Sequence, residues 1–356
     1  MSEQFQEQHH EVHHHSIFRR IRQTLKRERW ILPSVLVVAA VLAAGALWIV
    51  YSARRDAEQQ ITAGRPNNVG SGYRDITYQG KHYRYNTRIT SILYAGIDSD
   101  GTMQKSTRYT AAPRADSISL IVMDELHHQM TLIALNRNTV AKIRKYTLNG
   151  RDRGKFNDLL CYAYTYGDGG EASAENLCEA VSEMLYGIPV NEYVISNRSS
   201  LPLLGEIIGP IKVTVPNDDL TEIDASFAAG QQVLIDGANL EMFVRSRDTE
   251  VAFSNVGRME RQQSYMNAAI GQIRRLLENN AAGTWQRIQE AESCLQTNIT
   301  RSRYMDLTKV LKNTSYDAKN YYIPAGEMVM GEETSRFYAD EEALLAKVID
   351  IFYIEN

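Results

Sequence analysis

The sequence predicts a layered α/β domain preceded by one N-terminal membrane-spanning helix. One uninterrupted apolar run occupies residues 31–51. From residue 89 onward, apolar stretches of strand length alternate with longer stretches of helical periodicity, the pattern of a layered α/β domain. The composition, 44% hydrophobic and 23% charged, is that of a chain able to bury a core.

The apolar run reads ILPSVLVVAAVLAAGALWIVY and carries no charge. At ~1.5 Å per residue it covers the ~30 Å of a hydrocarbon core. Trp30, Trp48 and Tyr51 stand at its ends, where interfacial aromatics belong. Arg19, Arg20, Arg22, Lys26, Arg27 and Arg29 precede it, and only Arg54 and Arg55 follow closely. This asymmetry places residues 1–30 in the cytoplasm and the chain from about 54 outside. The run exceeds the ~7–15-residue core of a cleaved signal peptide. Residues 31–53 are therefore expected to stay as a single-pass anchor in the cell membrane. His9, His10, His13, His14 and His15 lie in a polar tail and are expected to be solvated. Residues 54–88 read as a juxtamembrane linker, turn-rich through AGRPNNVGSG, ending in a small β element in YRDITYQGKHYRYN. Residues 89–356 form the extracytoplasmic domain, C-terminal helices included.

Within that domain, SILYAGI (91–97), SISLIVM (117–123) and MTLIAL (130–135) suit buried strands. ELHHQ (125–129) is short enough to join the last two as a hairpin, with His127 and His128 exposed in its turn. Helices are expected at 157–166 and 173–186. A strand at 192–196 leads into a helix at 200–208, stopped by Gly209 and Pro210, then a strand at 211–215. Residues 240–246 suit a strand or a helix end. A long amphipathic helix covers 258–279. Further helices are expected at 283–295, 302–312 and 341–353, with a strand at 321–324. Cys161, Cys178 and Cys294 show neither a CxxC motif nor zinc-ligand spacing with His. A Cys161–Cys178 disulfide and free buried thiols are both compatible with this.

The chemistry-bearing residues cluster at strand ends. Asp98 directly follows the first strand, Arg114 and Asp116 open the second, and Arg137 lies just past the third. Antiparallel neighbours would gather all four at one sheet edge. Two carboxylates suit Mg²⁺, which shares its oxygen ligands with phosphates. Arginines grip phosphate oxygens in pairs. In EMFVRSRDTEVAFSNVGRMERQQSYM, Arg245 and Arg247 are two apart and share a face if the backbone is extended. Arg258, Arg261 and Gln262 open the long helix, with Arg258 and Gln262 four apart on one face. A helix N-terminus itself favours anions. The formal charge is −4, and residues 1–30 contribute +2, so the remainder carries −6. A phosphate site must therefore be a local arginine cluster, and a nucleic-acid partner is not expected.

The ordered series GIDSDG, RADSI, LNRNT, KFNDLLCYAYTYGDGGEAS, GIPVNEYV, LLGEIIGPIKVTV, GQQVLIDGANLEMFVRSR and GRMERQQSY resembles the LytR–CpsA–Psr family, from about Ser91 to about Gln263. The resemblance implies a mixed central sheet with helices on both faces. It implies a phosphotransferase that moves a glycopolymer, teichoic acid or capsular polysaccharide, from a polyprenyl-pyrophosphate carrier to peptidoglycan in cell-wall assembly. It further implies an apolar pocket for the lipid, with arginines and Mg²⁺ on the pyrophosphate. The helices at 157–166 and 173–186, rich in Leu, Tyr and Ala, suit either that pocket or an ordinary core. The matching residues place Asp98 and Asp116 on the metal, and Arg114, Arg137, Arg245, Arg247, Arg258 and Gln262 on the pyrophosphate. Asp98, Arg137 and Asp248 would be catalytic, with Asp98 and Asp248 alternative proton acceptors. The chain departs from the family pattern at Asn138 and Asn255, where many members carry Asp, and in reading Asn136–Arg137 for Pro–Arg and Gly209–Pro210 for Gly–Gly. A polyprenyl-pyrophosphate- or glycan-binding protein without catalysis, and a pyrophosphatase, are the competing readings.

Overall fold

Alternation of side chains along extended strands builds a sheet with two buried faces. In Ile89–Ile97 (β3), Leu93 and Ala95 enter one core while Ile92 enters another. In Ala115–Asp124 (β4), Leu120 and Val122 join the first core and Met123 the second. In Gln129–Leu135 (β5), Ile133 and Leu135 oppose Met130 and Leu132 in the same way. The computed structural model describes residues 75–248, 251, 253–331 and 334–356, all within the compact unit Pro66–Asn356. The expected tail, membrane span and linker up to residue 74 lie outside the described residues. Among the described residues no helix is long and apolar enough to cross a membrane.

The central sheet is mixed and has six strands in the order β11-β8-β3-β4-β5-β12, where β8 is Glu192–Ser196, β11 Leu295–Thr297 and β12 Ser315–Tyr322. β3, β4 and β5 are successive antiparallel neighbours, as the hairpin reading requires, while β8 runs parallel to β3 and β12 parallel to β5. The first face packs on Glu171–Met184 (α2) and Glu341–Phe352 (α7) through Leu177, Val181, Leu345 and Val348. The second packs on Asn255–Glu290 (α5) and Arg301–Asn313 (α6) through Ile270 and Leu307. Helices thus cover both faces.

The hairpin of Asp75–Tyr78 (β1) and Lys81–Tyr85 (β2) is joined by the C-terminal strand Tyr353–Glu355 (β15), and Ile76 enters the first core. Gln79 and Gly80 both adopt positive φ in its two-residue turn, the form that suits the strands' twist.

Several expectations change. The helix foreseen at 157–166 is mostly a strand and a turn: Asp152–Leu159 (β7) pairs with Val140–Tyr146 (β6), leaving only Tyr162–Thr165 (α1) helical. Pairing with a partner strand overrides the weak local preference of FNDLL. Residues 240–246 resolve as a helix, Leu240–Arg245 (α4). The 211–215 strand, Ile211–Thr214 (β9), leaves the central sheet and pairs with Gln232–Ile235 (β10). Ser200–Ile208 (α3) ends at Gly209, as its Gly–Pro stop predicts. The long helix α5 runs through residue 290, broken at Asn280, whose φ of −152° is not helical. The Asn280 side chain accepts from Gly283 N at 2.9 Å, so the break is a helix cap inside the run. Residues 295–297 of the expected 283–295 helix and beyond are β11. Gly326–Met330 (β13) and Ser335–Ala339 (β14) form a further hairpin. All three cysteines are buried free thiols, which resolves the disulfide alternative.

Candidate functional site

Strand parity brings the first acidic pair together. Asp98 N donates to Arg114 O at 3.0 Å, so Asp98 sits opposite the residue two before Asp116 at one edge of the sheet. Arg137 follows β5 at that edge, and its guanidinium pairs with the Asp116 carboxylate. The arginines from the second half of the chain reach the same carboxylates. Arg245 Nη2 donates to Asp98 Oδ1 at 3.0 Å. Arg258 Nη2 donates to the Asp116 carbonyl oxygen at 3.0 Å, with Nη1 3.8 Å from its carboxylate.

Arg258 is the most telling of these groups. It is only 4% exposed. Its Nε is buried and has no hydrogen-bond partner among the described residues. Burial pushes its pKa down to about 10, and Arg137, Arg247 and Arg245 press in the same direction against Asp116. Arg247 is likewise lowered, first by burial and then by Arg137, and donates to Ser254 Oγ at 3.0 Å. Such a cluster carries more positive charge than its two carboxylates relieve, so it favours a multivalent anion.

Gln262 sits one helical turn beyond Arg258, donating to Val244 O at 3.0 Å and accepting from Ser117 Oγ at 3.4 Å. Arg114 is exposed beside this group. Asp248 is exposed on the segment after α4 and does not line the cavity described below.

Two residues have roles that spacing did not disclose. Arg198, directly past β8, donates from Nε to Asp100 Oδ1 at 2.8 Å and lies 3.9 Å from Asp98. Its signal was positional: β8 is the parallel neighbour of β3, so its end falls at the same edge. Arg261, grouped by sequence with the helix-opening arginines, is fully buried and structural. It donates to Phe243 O at 2.9 Å, Asn217 Oδ1 at 3.0 Å, Asp219 Oδ2 at 2.6 Å and Ser246 O. It thereby holds the α4 end that carries Arg245 and Arg247.

The departures from the family pattern form a buried neutral network. Asn136 Oδ1 accepts from Asn255 Nδ2 at 3.1 Å and Asn138 N at 3.0 Å, while Asn138 Nδ2 donates to Ser335 Oγ at 2.8 Å. It ties the start of α5 to the loop bearing Arg137.

Behind the polar edge lies a cavity of about 240 Å³. Asp116, Arg198, Arg245, Arg258 and Gln262 line its polar part. Ile121 and Leu132 of the sheet, Leu204 and Ile208 of α3, and Met266 and Ile273 of α5 line the rest. From Asp116 to Ile121 along β4 is ~17 Å at strand rise. From Arg258 to Ile273 along α5 is ~22 Å at helical rise. A group with a charged head and a long apolar tail matches that polarity. The expected helices at 157–166 and 173–186 do not line it: Leu160, Tyr164, Leu177 and Val181 belong to the core on the opposite sheet face. A free face of β4 bearing Ser117 and Ser119 marks the cavity instead.

Cys161 is buried near this edge, and burial pushes its thiol up to about 11, which disfavours the thiolate. Among the described residues no group of three or more His, Cys, Asp or Glu is placed to hold a metal. Asp98 and Asp116 nevertheless fit the donor set of Mg²⁺, which needs only one or two carboxylates when phosphates complete its shell.

The model of the LytR_cpsA_psr family matches residues 49–348. A polyisoprenyl-teichoic acid–peptidoglycan teichoic acid transferase, TagU of Bacillus cereus, is 23% identical over 254 residues, 71% of this chain and 74% of that one. The crystal structure of B. subtilis TagV superposes with a TM-score of 0.55 at 21% identity, covering 74% of this chain and 96% of that one. TagT bound to LIIa-WTA gives 0.55 at 18% identity, covering 81% and 96%. At these identities the structures establish a shared fold.

Proposed function

The chain belongs to the LytR–CpsA–Psr family, and on that premise we propose that it is a membrane-anchored transferase acting outside the cell. It would move a glycopolymer from a polyprenyl-pyrophosphate carrier to peptidoglycan. The carrying observation is the buried, unpartnered Arg258 Nε within an arginine cluster at the polar end of an apolar cavity. The name of the B. cereus relative points to teichoic acid as the polymer. The apolar run at 31–53 would be the anchor.

The lipid tail would occupy the cavity, and the pyrophosphate the arginine edge. Arg245 and Arg137 would exchange their carboxylate partners for phosphate oxygens. Arg247 and Arg258 would grip the phosphates directly. Gln262 would orient an oxygen, and Arg114 would meet the solvent side of the phosphate. Asp98 and Asp116 would hold Mg²⁺, which supplies further charge neutralisation at the phosphates. In the transfer, an acceptor hydroxyl oxygen bonds to the glycan-proximal phosphorus. The bond from that phosphorus to the bridging oxygen breaks, and polyprenyl phosphate departs with the electron pair. The hydroxyl proton would pass to Asp98, freed at the sheet edge as Arg245 turns to phosphate; Asp248, exposed, is the alternative acceptor. Positioning and charge neutralisation would supply most of the rate.

Incubation of the full-length protein with lipid-linked donor and peptidoglycan tests this. A glycan–peptidoglycan phosphodiester plus released polyprenyl phosphate is expected. Glycan phosphate alone would mean a pyrophosphatase, and donor retained without turnover would mean a binding protein. Arg245→Ala should abolish polyprenyl-pyrophosphate retention with melting nearly unchanged, and retention at the wild-type level would remove Arg245 from the site. Identical pyrophosphate binding in Mg²⁺ and in chelator would remove the metal role of Asp98 and Asp116.

A further inference from the structure

A surface groove between two segments that both start at the site holds two arginines with no acidic partner among the described residues. It lies between the segment 99–114, which joins β3 to β4, and the outer end of the β6–β7 hairpin. Arg108, Thr110, Tyr146, Leu148, Asn149 and Arg153 line it. Both walls begin at the site. The segment leaves at Asp98 and returns at Arg114, and the hairpin starts three residues after Arg137.

The walls are fastened to each other. Tyr109 N donates to Leu148 O at 3.1 Å, and the Tyr109 and Tyr146 rings stand 5.2 Å apart. Gly150 has φ +79°, and a Cβ there would meet the Tyr109 ring at 2.8 Å, so only glycine lets the two walls close. Thr110, in the groove, is held at φ +65°, a conformation that β-branched residues rarely adopt. Strain of that kind persists where the surroundings impose it, commonly at binding sites.

Charge pairing on the hairpin is selective. Arg144 pairs with Asp152 and Glu179, Lys145 with Asp158, and Lys155 with Glu179 and Glu183. Arg108 and Arg153 are exposed, and among the described residues neither is ion-paired. They stand on opposite walls within an acidic chain of net charge −4.

We propose that this groove binds the anionic, phosphate-bearing glycan chain of the donor, the part that trails from the pyrophosphate. The proposal rests on the transferase reading above. The apolar cavity lies on the α5 side of the central sheet. The hairpin packs on the opposite side, with Ala141 and Ile143 in the first core. The pyrophosphate edge lies between them. A donor with its lipid in the cavity therefore has its polymer leaving past Asp98, Arg114 and Arg137, where both groove walls begin. Guanidinium groups on facing walls suit the repeated phosphodiesters of such a chain.

The test titrates full-length protein in detergent with a lipid-free poly(glycerol phosphate) oligomer. A neutral glucan of equal length and a muropeptide serve as comparisons. The oligomer is expected to bind, more weakly as salt rises, and the neutral glucan not to bind. The Arg108→Glu/Arg153→Glu double variant, both positions being exposed, should melt like wild type and bind the oligomer ~10-fold more weakly. Unchanged affinity in the double variant, equal binding of the neutral glucan, or a loss confined to the muropeptide would each overturn the proposal. Polymer binding that follows this pattern in a protein without transfer activity supports the groove and strikes the transferase reading alone. Transfer without any polymer affinity overturns the groove alone.

Discussion

Replacing Arg261 by Met would separate the architecture of the site from its chemistry. Arg261 is fully buried, and its guanidinium is the partner of the Phe243 and Ser246 carbonyls at the end of α4. Methionine fills much of the volume but leaves two buried carbonyl oxygens unpaired, at ~1–3 kcal/mol each. Asp219 is partly exposed and can turn to water, so its lost partner adds little. Burial lowers the Arg261 pKa, which marks a desolvation cost that the substitution relieves. The balance is a loss of about 2–3 kcal/mol, or roughly 3–5 °C in melting temperature for a domain of this size. Arg245 ends α4 and Arg247 follows it, so polyprenyl-pyrophosphate affinity should fall ~10-fold although Arg261 does not line the cavity. Arg261→Lys should recover little of either, because an ammonium lacks the planar fork that reaches several acceptors. Thermal melting and lipid titration on the same preparations read both quantities. A melting temperature within ~1 °C of wild type would refute the structural role. A destabilised variant with wild-type affinity would refute the link to Arg245 and Arg247.

Two further substitutions probe the electrostatics. Arg258→Met removes a cation whose pKa burial depresses to about 10 and whose Nε has no partner. Stability should hold or rise while pyrophosphate affinity falls ~30–100-fold, the loss of about 2–3 kcal/mol of charge-assisted bonding; a clear drop in melting temperature would contradict this. Glu179 has its pKa lowered from 4.5 to about 2, first through its hydrogen bond from Arg144, and it also pairs with Lys155 of the β6–β7 hairpin. Because the folded-state value is depressed, its contribution is complete above pH 4.5 and is lost as pH falls towards 2. Glu179→Gln should therefore be less stable than wild type by about 1 kcal/mol at neutral pH, after allowance for solvent screening. Urea melts should show that gap closing in acid, and a gap constant from pH 6 to pH 2.5 would contradict the assignment.

The acidic edge was legible because it depends on local facts. An apolar strand followed by Asp98, a strand opened by Arg114 and Asp116, and a short link before β5 oblige these residues to share an edge once the strands pair antiparallel. The end of α3 was legible for the same reason: Gly209 acts through its own backbone. The extended-backbone reading of Arg245 and Arg247 did not hold, since Arg245 closes a helix and Ser246 is its extended cap.

What a residue meets across the molecule was not legible. Arg258 and Arg261 are three apart on one helix with the same side chain, yet one is aimed at Asp116 and the other is the buried brace of α4. Likewise, the Leu- and Tyr-rich segment 157–166 fills a core while Ser117 and Ser119 border the cavity. By itself the sequence determined periodicity, strand ends and helix stops, because these arise from each residue's own geometry and its near neighbours. The tertiary structure alone decided which arginine is desolvated, which carbonyls need a donor and which sheet face stays open. Those properties belong to pairs of elements brought together from more than a hundred residues apart, as Asp116 and Arg258 are.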